Sequence, residues 1–534
     1  MMALVLYYLI GSLAVFAAGV LVYWWSLRWT RPISWKVFFV ASLIGATSLL
    51  VLPVLKFHAL GMYVDFSHWL GVLMSIRETG LPLSLSHEFI RPGTLNYFSV
   101  HFTPLVYVIA LPFALIPWPE MLLMVSVLFM ISSAVPLFLL AKKLTGRLWI
   151  AWLCVPLLLW YPTFQYITLY EFEMLRFSIP ILLWALYFFE AKKTAWFFLF
   201  VVLASLVREE VGLTVAALGV FLFIVERARW KGIATMVIGM GTFAVITSLV
   251  MPELRQGEYA YIAAPFFSTF GDSPLHMLQT IVSRPIWVMM EMFQVTKVAN
   301  IGMLFIPLLG LSFFSPTALI GMAANLGVGF VSIADVHTSY MLYYVSPSVP
   351  FVFYAVLRGW NKAHVWIRAR MGKCATEEQG ESALGTALIA GMFVSAIVFG
   401  PSPLSLQFWA KDVRPAPFRT QNFHISAYDV NDHHRAVATF IRMIPDDAVV
   451  SSPQFLHPHL YQKRAAMVFP DTVSKDGTVL ADYVLLDLTN NSLRADSPAY
   501  VSMDEMRLVA QNDAWRLITK SEGYELYVRV PNLP

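Results

Sequence analysis

"TPLVYVIALPFALIP", residues 103–117, decides how this chain is threaded. The stretch is apolar throughout, yet it is short and interrupted by Pro104, Pro112 and Pro117. Proline removes a helical donor and clashes with the preceding turn, so the segment predicts an interfacial or re-entrant helix that does not cross a membrane. Around it, runs of roughly 15–25 apolar residues are long enough to cross a hydrocarbon core of about 30 Å. The sequence predicts twelve spans, near 3–25, 37–55, 120–141, 147–162, 176–190, 195–207, 211–226, 233–251, 290–312, 315–332, 341–358 and 384–400.

With 103–117 left on one side, the basic loops collect on the other. These are Arg28, Arg31 and Lys36; Lys142, Lys143 and Arg147; Lys192 and Lys193; Arg227, Arg229 and Lys231; and the loop from Arg358 to Lys373. Short loops rich in lysine and arginine stay cytoplasmic, which predicts both termini outside. The first run, "MALVLYYLIGSLAVFAAGVLVYWW", lacks a basic n-region and a small-residue cleavage site, so it predicts a retained span. The outer face then receives the loops 57–119, 161–176 and 252–289, with everything after about residue 401.

Composition agrees with that reading. Of 534 residues, 58% are hydrophobic and 13% charged, and the mean hydropathy is +0.65. Soluble domains carry about a quarter charged residues, so the chain reads as an α-helical polytopic membrane protein. The net charge of +4 gives no case for a nucleic-acid partner. Two cysteines, Cys154 and Cys374, make neither a disulfide framework nor a metal site. The C-terminal part changes character. "AVATFIRMIP" has helical periodicity, "DAVVSS" and "ADYVLLDL" read as short buried strands, and "GYELYVRV" alternates like an edge strand. Residues 415–534 therefore predict a small extracytoplasmic α/β domain, joined through a linker at 401–414 to the membrane domain 1–400.

The ionisable residues expected at the outer face are the chemical candidates. Asp65, in "MYVDFSHWL", opens a long loop that also carries His101 in "SVHFTP". Loops of that length usually have a function. An acid and a histidine held at a membrane surface can bind a lipid phosphate and deprotonate an acceptor. The plainer alternatives are a solvated interfacial acid and a structural hydrogen-bonder. "YEFEMLR" supplies Glu171, Glu173 and Arg176, with a solvated loop tip as its alternative. "LVREEVGL" places Arg208, Glu209 and Glu210 between two apolar runs, where ionisable groups are costly unless paired or wet; a plain outer turn is the alternative. "IADVHTSY" adds Asp335 and His337, and Lys297 sits in an apolar stretch from which it can snorkel outward. The histidines of "NDHHRA" and "LHPHLYQ" match no zinc spacing, so a divalent metal has no ligand motif behind it and the cofactor is unknown. No P-loop, dinucleotide fingerprint or nucleophile elbow is present.

The pattern "DFSHW…SVHFTP…AKKLTGR" is similar to the start of GT-C membrane glycosyltransferases, such as protein O-mannosyltransferases and the aminoarabinose transferases of lipid A. "HFTP" stands where those have a His-Pro-Pro-Leu-like element, and "AKKLTG" where they have a basic span end. Almost the whole chain more closely resembles a family of predicted membrane proteins, domain of unknown function two-thousand-and-seventy-nine. That match rests on "SVHFTP", "YEFEMLRF", "LVREEVGLTVAALG" and "IPDDAVVSSPQFLHPHLYQKRAAMVFPD…ADYVLLDL".

The GT-C resemblance implies sugar transfer from a polyprenyl-phosphate donor at the outer face of a bacterial inner membrane, to an acceptor it does not identify. It makes Asp65 the catalytic acid. Glu171, Glu173, Glu209, Glu210, Asp335 and His337 become cavity groups, and His101, Arg176, Arg208 and Lys297 the cations for the donor phosphate. Phe66 follows Asp65 where many such enzymes have a glutamate, and "YEFEML" lacks the His-Pro of related motifs. Two other classes stay open: a carrier or flippase for lipid-linked or small polar substrates, and a membrane scaffold.

Overall fold

Six helices among the described residues are long and apolar enough to cross a membrane: Ala3–Ser26, Trp35–His58, Pro119–Thr145, Arg229–Leu254, Asp335–Met371 and Glu377–Phe399. The computed structural model describes residues 2–28, 33–255, 268–271, 274–371, 376–411, 413, 422–489 and 512–530. Arg31, Lys373 and Cys374 lie outside those residues, as do 256–267 and 272–273 of the expected outer loop and 415–421, 490–511 and 531–534 of the expected tail domain. Leu148–Leu159 and Pro162–Leu169 meet at a 50° bend and together make a seventh candidate span. Pro162 at that break has no N–H to continue the first helix.

The other expected spans fall on shorter pieces. Thr194–Ser205 has 12 residues and Val211–Ile224 has 14. About 20 residues are needed to cross a bilayer, so six or seven helices meet that length among the described residues, where the sequence predicts twelve spans. The segment 103–117 forms the ten-residue helix Val106–Leu115, also too short to cross by itself.

Burial sorts the helices. Asp335–Met371 is almost wholly enclosed, whereas Ala3–Ser26 and Trp35–His58 turn Leu9, Leu13, Leu21, Val40 and Ile44 outward. Val211–Ile224 and Arg229–Val245 form a hairpin held close by two glycine pairs. A Cβ on Gly239 would lie 2.4 Å from the Gly212 carbonyl oxygen, and one on Gly219 2.8 Å from that of Gly232. Small residues let helix backbones approach this closely where burial against lipid gives no drive.

Beyond the end of Trp35–His58 the chain makes the helix Val64–Thr79, which carries Asp65 in its first turn. It stops at Gly80, whose φ of 78° gives the left-handed cap. Over this region sits a five-stranded sheet in the order β2-β1-β3-β5-β4. The strands are β1 Val449–Ser452, β2 Ala465–Val468, β3 Tyr483–Asp487, β4 Trp515–Ser521 and β5 Tyr524–Arg529. β2, β1 and β3 are parallel, β5 runs antiparallel to β3, and β4 pairs antiparallel with β5, so only β5 is reversed. The expected edge strand "GYELYVRV" is β5, which lies inside the sheet. β4 takes the edge, because the Glu522–Gly523 turn, both residues at positive φ, folds it back along β5. The sheet rests on the outer loop: Leu60 and Tyr63 pack into its core with Phe440 and Leu460. The Ala466 N–H also donates to Ser86 Oγ at 3.0 Å.

Candidate functional site

The segments 63–69, 97–102, 168–176, 208–210 and 337–344 meet at one buried polar cluster. The Tyr170 hydroxyl donates to Asp65 Oδ2 at 2.6 Å. Glu171 Oε2 accepts the Phe66 N–H at 3.0 Å. This is one of the orphan donors of the helix start, whose N-cap Tyr63 makes no side-chain cap bond. A carboxylate from a distant loop therefore caps the helix that holds Asp65.

Glu173 Oε1 accepts from its neighbour Met174 N–H at 3.0 Å and from Arg208 Nη1 at 3.3 Å, while Trp69 Nε1 donates to Oε2 at 3.4 Å. Arg208 Nε lies 3.0 Å from Glu210 Oε2 and 3.9 Å from Glu209 Oε1. Glu209 in turn meets His101 Nδ1 at 3.1 Å and accepts the Phe102 N–H at 2.8 Å. Arg208 also lies 5.9 Å from the centre of each of the Tyr343 and Tyr344 rings. His337 stacks edge-on against Tyr344 at 4.3 Å and shares a 2.5 Å hydrogen bond with Ser332 Oγ.

Three of the expected positions take other places. Arg176 is buried and directs Nε, Nη1 and Nη2 at the carbonyls of Glu173, Thr168 and Tyr170. Lys297 does not snorkel outward. It is 1% exposed and donates to the carbonyls of Glu291, Phe330 and Ser332. Asp335 opens the short turn Asp335–Thr338, half-buried, on the Lys297 side of the cluster. The "YEFEMLR" and "VREE" acids are no loop tips: Glu171, Glu173, Glu209 and Glu210 are all buried, and Asp65 alone of the five keeps partial exposure.

Burial pushes the Asp65 carboxyl up, against the Tyr170 hydrogen bond and the Arg208 charge, which pull it down. Burial and the Asp65 charge push Glu171 up to about 8, opposed by Lys56 and two backbone N–H groups. Glu209 and Glu210 are raised by burial against Arg208. The His101 imidazole is held down to about 4 by burial and by Arg208, so it is neutral at pH 7.

Sequence reasoning did not single out Tyr170, Trp69, Tyr343, Tyr344 or Lys56. Four are aromatics in aromatic-rich stretches and carry no distinguishing signal. Lys56 had one: a lone charge near the end of an apolar span, now 1% exposed with its ammonium 4.7 Å from the Phe423 ring centre. Among the described residues no three His, Cys, Asp or Glu side chains gather as metal ligands.

A family model described as a predicted membrane protein (DUF2079) matches residues 78–526. Glu171, Arg208, Glu209 and His337 fall inside that match, and Asp65 lies ahead of it. No curated protein matches the chain.

Proposed function

Since the chain belongs to the DUF2079 family of predicted membrane proteins, we propose that it is a membrane glycosyltransferase. It moves a sugar from a polyprenyl-phosphate donor to an acceptor hydroxyl at the extracytoplasmic face of a bacterial plasma membrane. Residues 1–400 then form a GT-C-like domain of about twelve membrane segments, some short and shielded by neighbours. Residues 415–534 form an extracytoplasmic α/β domain, reached through the linker 401–414.

One observation carries the reading. Of five acidic residues drawn together from distant segments, four are buried in structural bonds and Asp65 alone is half-buried. The Glu171 cap fixes the helix start, and Tyr170 fixes the carboxylate. Asp65 is thus a positioned base, half-buried like His101, His337 and Tyr344. In the reaction the acceptor oxygen bonds to the anomeric carbon as that carbon's bond to the phosphate oxygen breaks. The electron pair leaves on the phosphate, and the acceptor proton passes to an Asp65 oxygen. Arg208, already paired with Glu173 and Glu210, is the cation that would meet the phosphate, because Arg176 and Lys297 are turned to carbonyls.

The test is transfer of radiolabelled sugar from polyprenyl-phosphate donors in membranes, with Asp65→Asn compared at matched expression. Loss of about 100-fold or more is expected for removal of a general base, and equal transfer by both proteins would sink the assignment. The carrier reading has one observation in its favour. Asp65, Glu171, Glu173, Glu209 and Glu210 outnumber Lys56, Arg176 and Arg208 in the cluster, as proton-linked sites do. No transfer by either protein, with substrate uptake tied to a proton gradient, would establish that rival.

A further inference from the structure

A cavity lies where the sheet domain meets the outer ends of the spans. It is a groove of about 930 Å³ between the end of Trp35–His58, the start of Pro119–Ile131 and the helix Asp432–Arg442. Phe57 and His459 form its floor, stacked at 4.2 Å, with Trp118 and Met124 on one wall and Ile441 and Arg442 on the other. We infer that this groove holds one anionic phospholipid of the outer leaflet, its phosphate at Arg442 and an acyl chain along Met124.

Three observations select that occupant. Trp118 is 62% exposed at the head of a membrane helix, and exposed indoles there sit at headgroup level. Met121, Met124 and Leu128 follow at helical spacing on one face. Met124 is 46% and Leu128 52% exposed, so the groove runs without a step onto the lipid-facing surface of the span. Charge then selects the headgroup. The charged groups facing the groove are His58, Glu120, His459 and Arg442. His58 and Glu120 pair with each other at 3.2 Å, and His459 Nε2 is held by the Phe57 carbonyl at 3.1 Å. Arg442 bonds within its own helix, to the Ala438 carbonyl and Thr439 Oγ1, and among the described residues no carboxylate pairs with it. The groove therefore offers one uncompensated guanidinium, the group best shaped for a phosphate. Its volume lies in the ordinary range for a bound small molecule. A lipid held here ties the sheet domain to the membrane. It also packs on Phe57, whose ring meets Phe66, the neighbour of Asp65, at 6.0 Å.

The experiment is native mass spectrometry of the full chain, delipidated in detergent and offered equal phosphatidylglycerol and phosphatidylcholine. One tightly retained phosphatidylglycerol is expected, preferred about tenfold. Arg442→Gln brings the two lipids to parity, and Ala438→Trp, at an exposed position in the groove, abolishes tight retention of either. Melting temperatures matching the unmodified protein show that both variants fold. Equal retention of the two lipids by the unmodified protein overturns the inference, as does a phosphatidylglycerol preference unchanged in both variants. Neither result bears on Asp65, which the transfer assay tests separately.

Discussion

Asp65 sits between opposing influences: burial favours its protonated form, and the Tyr170 hydroxyl and Arg208 charge favour the carboxylate. Tyr170→Phe deletes the hydroxyl and leaves the ring, so the Asp65 pKa rises further. A base must be ionised to act. The acid limb of the transfer profile is therefore expected to move to higher pH, with the loss at pH 6 larger than at pH 8.5, and unchanged limbs would mean that the 2.6 Å bond does not tune Asp65.

Glu171 has the opposite use for its proton. With its folded pKa at about 8 against an ordinary 4.5, the folded chain holds a proton that the unfolded chain has already released between those values. Its contribution to stability is complete below pH 4.5 and is lost as pH rises towards 8. Glu171→Gln mimics the protonated acid. It is expected to flatten the fall in melting temperature between pH 5 and 8, measured in detergent; an unchanged slope would place the titration elsewhere. These acids stand out in the sequence because charge is rare there. Tyr170 does not, since one tyrosine in "YITLYEF" looks like any other until the fold brings it to Asp65.

Helix ends and helix crossings explain how the cluster is held. Lys56 closes Trp35–His58 from beneath and supplies the positive charge that opposes the rise of Glu171. Lys56→Met removes that opposing charge, so Glu171 keeps its proton to still higher pH. The fall in melting temperature with pH is thus expected to extend to higher pH in Lys56→Met and to vanish in Lys56→Met with Glu171→Gln; an unmoved fall would show that the two do not interact. The hairpin after Glu210 depends on glycine. Gly239→Leu drives a side chain into the Gly212 carbonyl, which a Cβ alone already approaches to 2.4 Å. Overpacking of that kind costs about 1–3 kcal/mol or more. It is expected to show as early thermal aggregation, whereas Gly241→Leu, which has open space, leaves the protein unchanged. The long apolar runs were legible as helices. Their ends were not, because a span shielded by protein stops where its partners stop, well short of a bilayer thickness.

Across the whole molecule, the basic loops predict the direction of threading and the sheet records where the tail goes. The sheet domain docks on the loop 57–119 through Leu60, Tyr63 and the Ala466–Ser86 bond, so the two lie on one side of the membrane. A cysteine placed at the exposed Asp476 is expected to react with an impermeant maleimide added to intact cells, and one at exposed Lys362 only after lysis. The reverse pattern would invert the molecule and remove the extracytoplasmic reading.

By itself, the sequence determined that this is a helical membrane chain with a small C-terminal sheet, because apolar run length and charge scarcity are local properties. It also marked Asp65, Glu171, Glu173 and the Arg208–Glu210 run, since charge beside apolar runs is costly wherever it falls. Only the tertiary structure decided that Asp65 stays half-buried and that the other four acids are spent as caps and ion partners. It alone turned Arg176 and Lys297 to carbonyls, and it alone put β5 inside the sheet. The Glu171 cap and the Tyr170 bond join residues 105 apart in sequence, and even Arg176, whose carbonyl partners lie within eight residues, depends on a local fold that no spacing along the chain records.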